Sequence, residues 1–298
     1  MAWFESPVDK INDWLKDILA EFAQKSLIRA SETIGDVVGI MRDNITQTPD
    51  KWNKGLFDSL KAVSDTAILP IAIGIMSIII CYDLITACID RNNMKEFDTS
   101  IFLRFIIKAW VAIYFMNNTF YICGSLFKIG SNIADTALTT LFDEKTTISA
   151  EIASTKFHEL LTTCSIGDLA LTCFLSLIVY IISVAVMVIV LVVTAGRMIE
   201  ILIYFSAAPI PFATMTNKEW SNIGFSFLKN MVALALQAFF IVLTLAIYVL
   251  LFNLNVTGIT ENFDSMSGAL LNWICYSIVC CFMLLKTGSI SKSILGAH

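Results

Sequence analysis

The sequence predicts an all-α polytopic membrane protein, and three observations carry that fold class. Residues 169–195 form an apolar run of 27 positions without a charged side chain, whereas about 20 apolar residues suffice to cross a hydrocarbon core of roughly 30 Å. Four further stretches are apolar over a spanning length. The 298 residues are 57% hydrophobic and only 15% charged, with a mean hydropathy of +0.75, a balance that fits a membrane chain. The predicted architecture is about five transmembrane helices, a proline-broken re-entrant segment and an N-terminal amphipathic helical arm, divided as an arm over 1–66 and a transmembrane domain over 67–298.

The arm comes first. Its opening residues mix both charge signs, unlike the basic patch and short apolar core of a secretory leader. Ser6-Pro7 supplies a cap and a first-turn proline. Phe4, Val8, Ile11, Leu15, Ile18 and Phe22 recur at three-and-four spacing, widened by Trp14 and Leu19. The stripe is expected to continue through Leu27, Ile34, Val38, Met41 and Ile45. Thr48-Pro49-Asp50 repeats the start signal, and Trp52, Leu56, Leu60 and Val63 carry a second amphipathic helix into the membrane. Such an arm lies on lipid or packs against copies of itself. Gly35 and Gly39 form a weak small-xxx-small match for close helix approach.

The spans follow near 68–89, 106–127, 169–195, 231–252 and 268–285. The first contains Asp83, and the second is softened by Asn117-Asn118. Between the third and fourth lies 198–215, where Pro209 and Pro211 end a helix about seven residues beyond Glu200. The piece that remains is too short to cross, so it reads as broken or re-entrant, with its freed backbone buried in protein or lining a wet cavity.

Charge orients these spans. Arg91, Lys95, Arg104 and Lys108 crowd the connection between the first two. Arg197, Lys218 and Lys229 flank the broken segment, and Lys286 and Lys292 follow the fifth span. The 253–267 connection has no lysine or arginine, and 128–168 has three basic residues against six acidic ones. The positive-inside rule places the first group in the cytoplasm and the second outside. The expected topology has the N-terminus outside and the C-terminus cytoplasmic, in a plasma membrane.

The stretch from Gly196 to Phe252 resembles the TrbL-like polytopic subunit of conjugative type IV secretion systems, particularly the short form of Gram-positive integrative conjugative elements. The matching pieces are Arg197 and Glu200, Ala-Pro-Ile-Pro at 208–211 and Asn217-Lys218-Glu219-Trp220. Gly224, Phe227, Leu228, Lys229 and Ala-Leu-Gln at 235–237 follow in order. The resemblance runs more loosely over 67–298, and the arm matches poorly. It implies a homo-oligomeric ring, with a pentamer favoured, that works as a channel or scaffold. Its partners are other secretion subunits, including ATPases and pilus or stalk components, with membrane lipids around it and transferred DNA as one candidate substrate.

The residues themselves offer no Walker A, GxSxG or HExxH pattern, so no enzyme activity and no cofactor is expected. His158 and His298 are too few for histidine chemistry. Cys81, Cys88, Cys173, Cys275, Cys280 and Cys281 lack metal-binding spacing and read as small buried apolar residues. Candidate path or assembly residues are Asp83, Arg197, Glu200, Pro209, Pro211, Trp220 and Gln237. Five of these have a plainer reading. Asp83 pairs with a nearby Arg or Lys, Arg197 and Glu200 pair with each other at i, i+3, Trp220 anchors at the interface, and Gln237 bonds across helices. The competing functional classes are a secondary transporter, which would show repeats and paired broken helices, and a holin-like or toxin-like pore, which is usually smaller.

Overall fold

A computed structural model describes residues 7–89, 99–142, 161, 165–217, 219–261 and 266–297. The described residues are almost all helical, with short turns between the helices and no strand among them. They form α1 (Pro7–Ile40), α2 (Pro49–Trp52), α3 (Lys54–Val63), α4 (Leu69–Ile89), α5 (Thr99–Asn117) and α6 (Thr119–Leu141), then α7 (Ile166–Ala207), α8 (Pro209–Thr214), α9 (Ser221–Glu261) and α10 (Met266–Ile294). Single π-helical turns, Met41–Ile45 and Ser64–Ile68, follow α1 and α3.

Four helical runs among the described residues are long and apolar enough to cross a bilayer: Lys54–Thr86, Ile166–Ala207, Ser221–Asn255 and Ser267–Ile294. Their outward faces carry large apolar side chains such as Ile78, Ile181, Val192, Ile247 and Phe282, which suits lipid rather than water as the surrounding solvent. This explains a departure among the cysteines. Cys280 is buried and Cys173 and Cys281 are half-buried, but Cys81 and Cys275 are exposed on the outer faces of their helices. His158, His298, Ser6 and Phe4 lie outside the described residues.

The expected span at 106–127 is divided. α5 ends at Asn117 and α6 begins at Thr119, leaving Phe105–Asn117 as a shorter apolar helix. The amide of Asn118 still bonds the Tyr114 carbonyl at 3.2 Å, and its own carbonyl receives Ile122 N–H at 3.0 Å. The Asn118 side chain competes for that same Tyr114 carbonyl at 2.9 Å, and the Thr119 hydroxyl donates to Met116 at 2.6 Å. Side-chain donors of this kind bend a helix while keeping its backbone paired.

The third span is longer than its apolar run. α7 continues past Ala195 and Arg197 to Ala207 as 42 unbroken residues. The first part of the expected 198–215 segment is therefore the end of α7, the break falls at Ala208, and the helix resumes as α8 from Pro209.

Two compact units emerge. One comprises 1–45, 135–194 and 241–286; the other comprises 46–134, 195–240 and 287–298. In the first, Phe252 stacks edge-on to Trp273 at 4.4 Å, and the Tyr248 and Ser277 hydroxyls bond at 2.9 Å. α1 buries Ala20, Ala23, Leu27, Ala30 and Ile34, while Ile11, Leu15, Ile18 and Phe22 stay exposed. The expected single stripe is thus two faces. Five residues separate Phe22 from Leu27, which at 3.6 residues per turn rotates the pattern by roughly 140°.

Candidate functional site

The second unit is built around the proline break. Pro209 has no N–H to offer the Phe205 carbonyl, and that carbonyl instead receives Ala208 N–H at 3.3 Å. Pro209 occupies the first turn of α8, where its fixed φ suits a helix start. Phe212 N–H then bonds Ala208 at 3.3 Å, while the Thr214 and Thr216 hydroxyls satisfy Pro211 and Ala213 at 2.7 and 2.9 Å. The Phe205 carbonyl freed by Pro209 is therefore met within protein, as a lipid surrounding demands.

α8 is seated against α4 and α5. Pro209, Phe212, Ala213 and Thr214 are buried, with Ala213 against Ala72, Met76, Ala112 and Met116. Phe205, just before the break, meets Phe57, Phe120 and Phe127 with ring centroids 6.0, 5.7 and 5.3 Å away. Such tilted and edge-on ring pairs fix orientation as well as burying area. Pro211 is only half-buried, and its carbonyl faces Gly224. A Cβ at Gly224 would stand 2.7 Å from that oxygen, so the glycine permits α9 to start against α8.

A polar string fastens this seat. Asp83 on α4 accepts from Lys108 of α5 and from the side chain of Asn217, in the turn after α8. Asn217 is almost fully buried, and its own side-chain oxygen accepts Glu219 N–H at 2.6 Å. Glu219 in turn takes a long bond from the Tyr82 hydroxyl at 3.4 Å. Asp83 thus serves as the junction of three chain segments, in keeping with the rule that a carboxylate within a membrane segment finds a partner.

A second polar group ties the ends of α7, α9 and α10. Arg197 is 2% exposed and donates from Nε to the Leu234 carbonyl at 3.1 Å. Glu200 pairs with Lys292 of α10 at 3.3 Å. Each of the two charges expected to pair at i, i+3 therefore has a partner on another helix. Ser291 donates to the neighbouring Ala233 carbonyl at 2.5 Å. Gln237 is buried against Gly288, where a Cβ would stand 3.2 Å from its Nε2, and its Oε1 has no partner among the described residues. Trp220 is 47% exposed at the end of the turn.

Between α5, α6, α8 and α9 lies a cavity of about 460 Å³ lined by Val111, Phe115, Phe212, Met215 and Leu228, with Lys108 among its few polar walls. Its size falls in the range of small-molecule sites, but its walls are almost wholly apolar. No group of metal ligands occurs among the described residues.

The structure unites Asp83, Pro209 and Pro211 in one cluster and Arg197, Glu200 and Gln237 in another, with Trp220 on the outside. Sequence reasoning singled out neither Lys108 nor Lys292 as a site residue, because both served as topology markers. Asn217 stood in the quoted block, but only its burial reveals its role. Phe205 had no signal beyond the adjacent proline pair.

Residues 34–209 match the model of the TrbL/VirB6 plasmid conjugal transfer like protein family. The chain belongs to this family. No curated protein and no solved structure matches the chain. The match spans the second half of the arm through Pro209, so the TrbL/VirB6 region begins earlier than the resemblance at 67–298 suggested. It also ends before Trp220 and Gln237. TrbL/VirB6 proteins are structural subunits of conjugation, and this multi-pass chain is a conjugal-transfer, type IV secretion membrane subunit.

Proposed function

We propose that this TrbL/VirB6 subunit assembles as a homo-oligomeric ring in the plasma membrane and acts as a passive channel or scaffold for DNA or protein substrate. The observation that carries the reading is the family match over 34–209, which includes Asp83 and Lys108 and the α7 end with Arg197 and Glu200. Motive force comes from partner ATPases, and pilus or stalk components are the other contacts. The favoured copy number is five, as the family resemblance implies.

The proposed topology has the N-terminus outside and the C-terminus in the cytoplasm. Its five crossings are the four long helical runs and the bent α5–α6 pair. The backbone N–H and carbonyl of Asn118, both hydrogen-bonded along the chain, support the last crossing, since neither is left bare to lipid. Residues 1–66 act as an assembly arm and 67–298 as the transmembrane domain. A secondary transporter is the alternative, and it would be expected to carry internal repeats and paired broken helices near the midplane.

Native mass measurement of the full chain in mild detergent tests the ring. A multiple of the chain mass, centred on five copies, supports it. A stable monomer under conditions that preserve other membrane assemblies overturns it.

A further inference from the structure

The cavity beside α8 is amphiphilic along its length. Its α5 wall is made by Lys108, Val111, Ala112 and Phe115, at the three-and-four spacing that sets residues on one helical face. Seven residues separate Lys108 from Phe115, so this wall runs for roughly 10 Å at 1.5 Å per residue. Lys108 stands at one end, and apolar side chains such as Phe115, Phe212 and Leu228 make the rest. Thr216 is the other polar wall, and its hydroxyl is already donated to the Ala213 carbonyl. All of these residues belong to one compact unit.

Water is a poor occupant here. A buried water needs two to four polar partners, and apolar cavities stay dry. An empty cavity forfeits the dispersion contacts of its walls. This one is half open, and Val111 and Phe115 are 37% and 43% exposed. Hydrocarbon surrounding the helices therefore reaches it, and an acyl chain is the occupant that its walls accept.

Lys108 adds a polar end to that occupant. Its side chain is 44% exposed, and its bond to Asp83 uses one of the three donors of an ammonium. Both oxygens of Asp83 are engaged, one by Lys108 and the other by Asn217. The carboxylate thus fixes the ammonium at the end of the cavity. The pair is neutral, so it offers an oxyanion a directed donor rather than a broad positive field. That end of α5 also follows the basic connection with Arg91 and Lys95, and basic pockets on the cytoplasmic side are where lipid headgroups bind between helices.

We propose that the cavity is a phospholipid site, with one acyl chain lying along α5 from Val111 to Phe115 and the lipid phosphate hydrogen-bonded by Lys108. Through Phe212 and Met215 the chain braces α8 against α5 and α9. The site is complete in a single copy of the chain, so it stands or falls independently of the ring.

The test uses the full chain in liposomes that carry a trace of phosphatidylglycerol with a photoactivatable diazirine in mid-chain. A parallel sample carries diacylglycerol with the same chain and no phosphate. After irradiation the labelled residues are mapped by peptide mass spectrometry. Phosphatidylglycerol should label Val111, Phe115, Met215 and Leu228 above Trp110 and Tyr114, which are 66% and 56% exposed on α5 and outside the cavity. Diacylglycerol should show no such preference. Lys108→Gln should lower the cavity labelling about tenfold, the loss of one hydrogen bond to a charged group, and leave Trp110 labelling unchanged. Val111→Trp keeps Lys108 but fills the cavity, and should remove the label from Met215 and Leu228. Equal cavity labelling by both lipids means bulk hydrocarbon without a headgroup contact, and overturns the site. Cavity labelling that survives both substitutions overturns it too. An unlabelled cavity beside a labelled Trp110 means that protein fills the space, from this chain or a neighbouring copy, and likewise overturns the proposal.

Discussion

The Nε of Arg197 donates to the backbone carbonyl of Leu234 across 3.1 Å, while the next carbonyl along, that of Ala233, is taken by Ser291. Two neighbouring backbone groups of α9 are thus claimed by side chains from α7 and α10. A guanidinium held this way brings a rigid planar donor that an ammonium does not reproduce.

Arg197→Leu should therefore destabilise the protein by roughly 1.5–3 kcal/mol, the range for hydrogen bonds to charged groups, with Arg197→Lys restoring only part. Glu200→Gln should cost under about 1 kcal/mol, because its pair with Lys292 is partly exposed. The double replacement should equal the sum of the single ones within about 0.5 kcal/mol. Thermal unfolding in detergent measures all of these, and a double variant no worse than Arg197→Leu alone would mean that the two charges work as one pair.

Lys108→Leu should be more damaging than Asp83→Asn. The first leaves a carboxylate of low exposure without its cation, whereas the second keeps an oxygen for Asn217. Leaving a charge unmatched costs roughly 1–3 kcal/mol or more. Adding Asp83→Asn to Lys108→Leu should recover part of the loss. Resistance of the purified protein to proteolysis reports the order, and a combined variant worse than both singles would remove Asp83 as the junction.

Gly130→Ala and Gly35→Ala should move stability in opposite directions. A Cβ at Gly130 would stand 2.5 Å from the Ala235 carbonyl oxygen, whereas one at Gly35 meets nothing within 4 Å. Overpacking against backbone costs about 1–3 kcal/mol, and replacing an open helical glycine by alanine gains about 0.5–1 kcal/mol. Paired melting curves decide this. An unaffected Gly130→Ala protein would show that α6 and α9 do not approach so closely.

These contrasts mark what was legible in the sequence. Spans and helix ends were, because length, hydropathy and proline are local properties: the stop at Ala207, seven residues past Glu200, follows from Pro209. Gly35 and Gly39 formed a visible motif yet touch nothing, while Gly130 formed none and lies against α9. The partners of Arg197 and Glu200 were hidden for the same reason. Spacing along one helix shows which residues are able to pair, but only packing brings Leu234 and Lys292 within reach. The arm misled differently, since one apolar list concealed two faces separated by the five-residue step after Phe22.

Topology gives a further prediction. With the native cysteines removed, a cysteine introduced by Thr257→Cys should react with an impermeant thiol reagent applied outside the cell, and one introduced by Lys218→Cys should not. Labelling of both from outside would mean that the segment around α8 crosses the membrane, and the five-crossing arrangement would fall.

The role in transfer is tested most directly by deleting the gene from a conjugative donor and measuring transfer frequency alongside the ATPase activity of the partner motors. Transfer should fall to background with ATPase activity unchanged. The wild-type chain should restore it, and Arg197→Leu, Glu200→Gln or Trp220→Ala at normal protein levels should restore it incompletely. Undiminished transfer from the deleted donor, with no second copy of the gene present, would contradict the assignment of this chain to the conjugative machine.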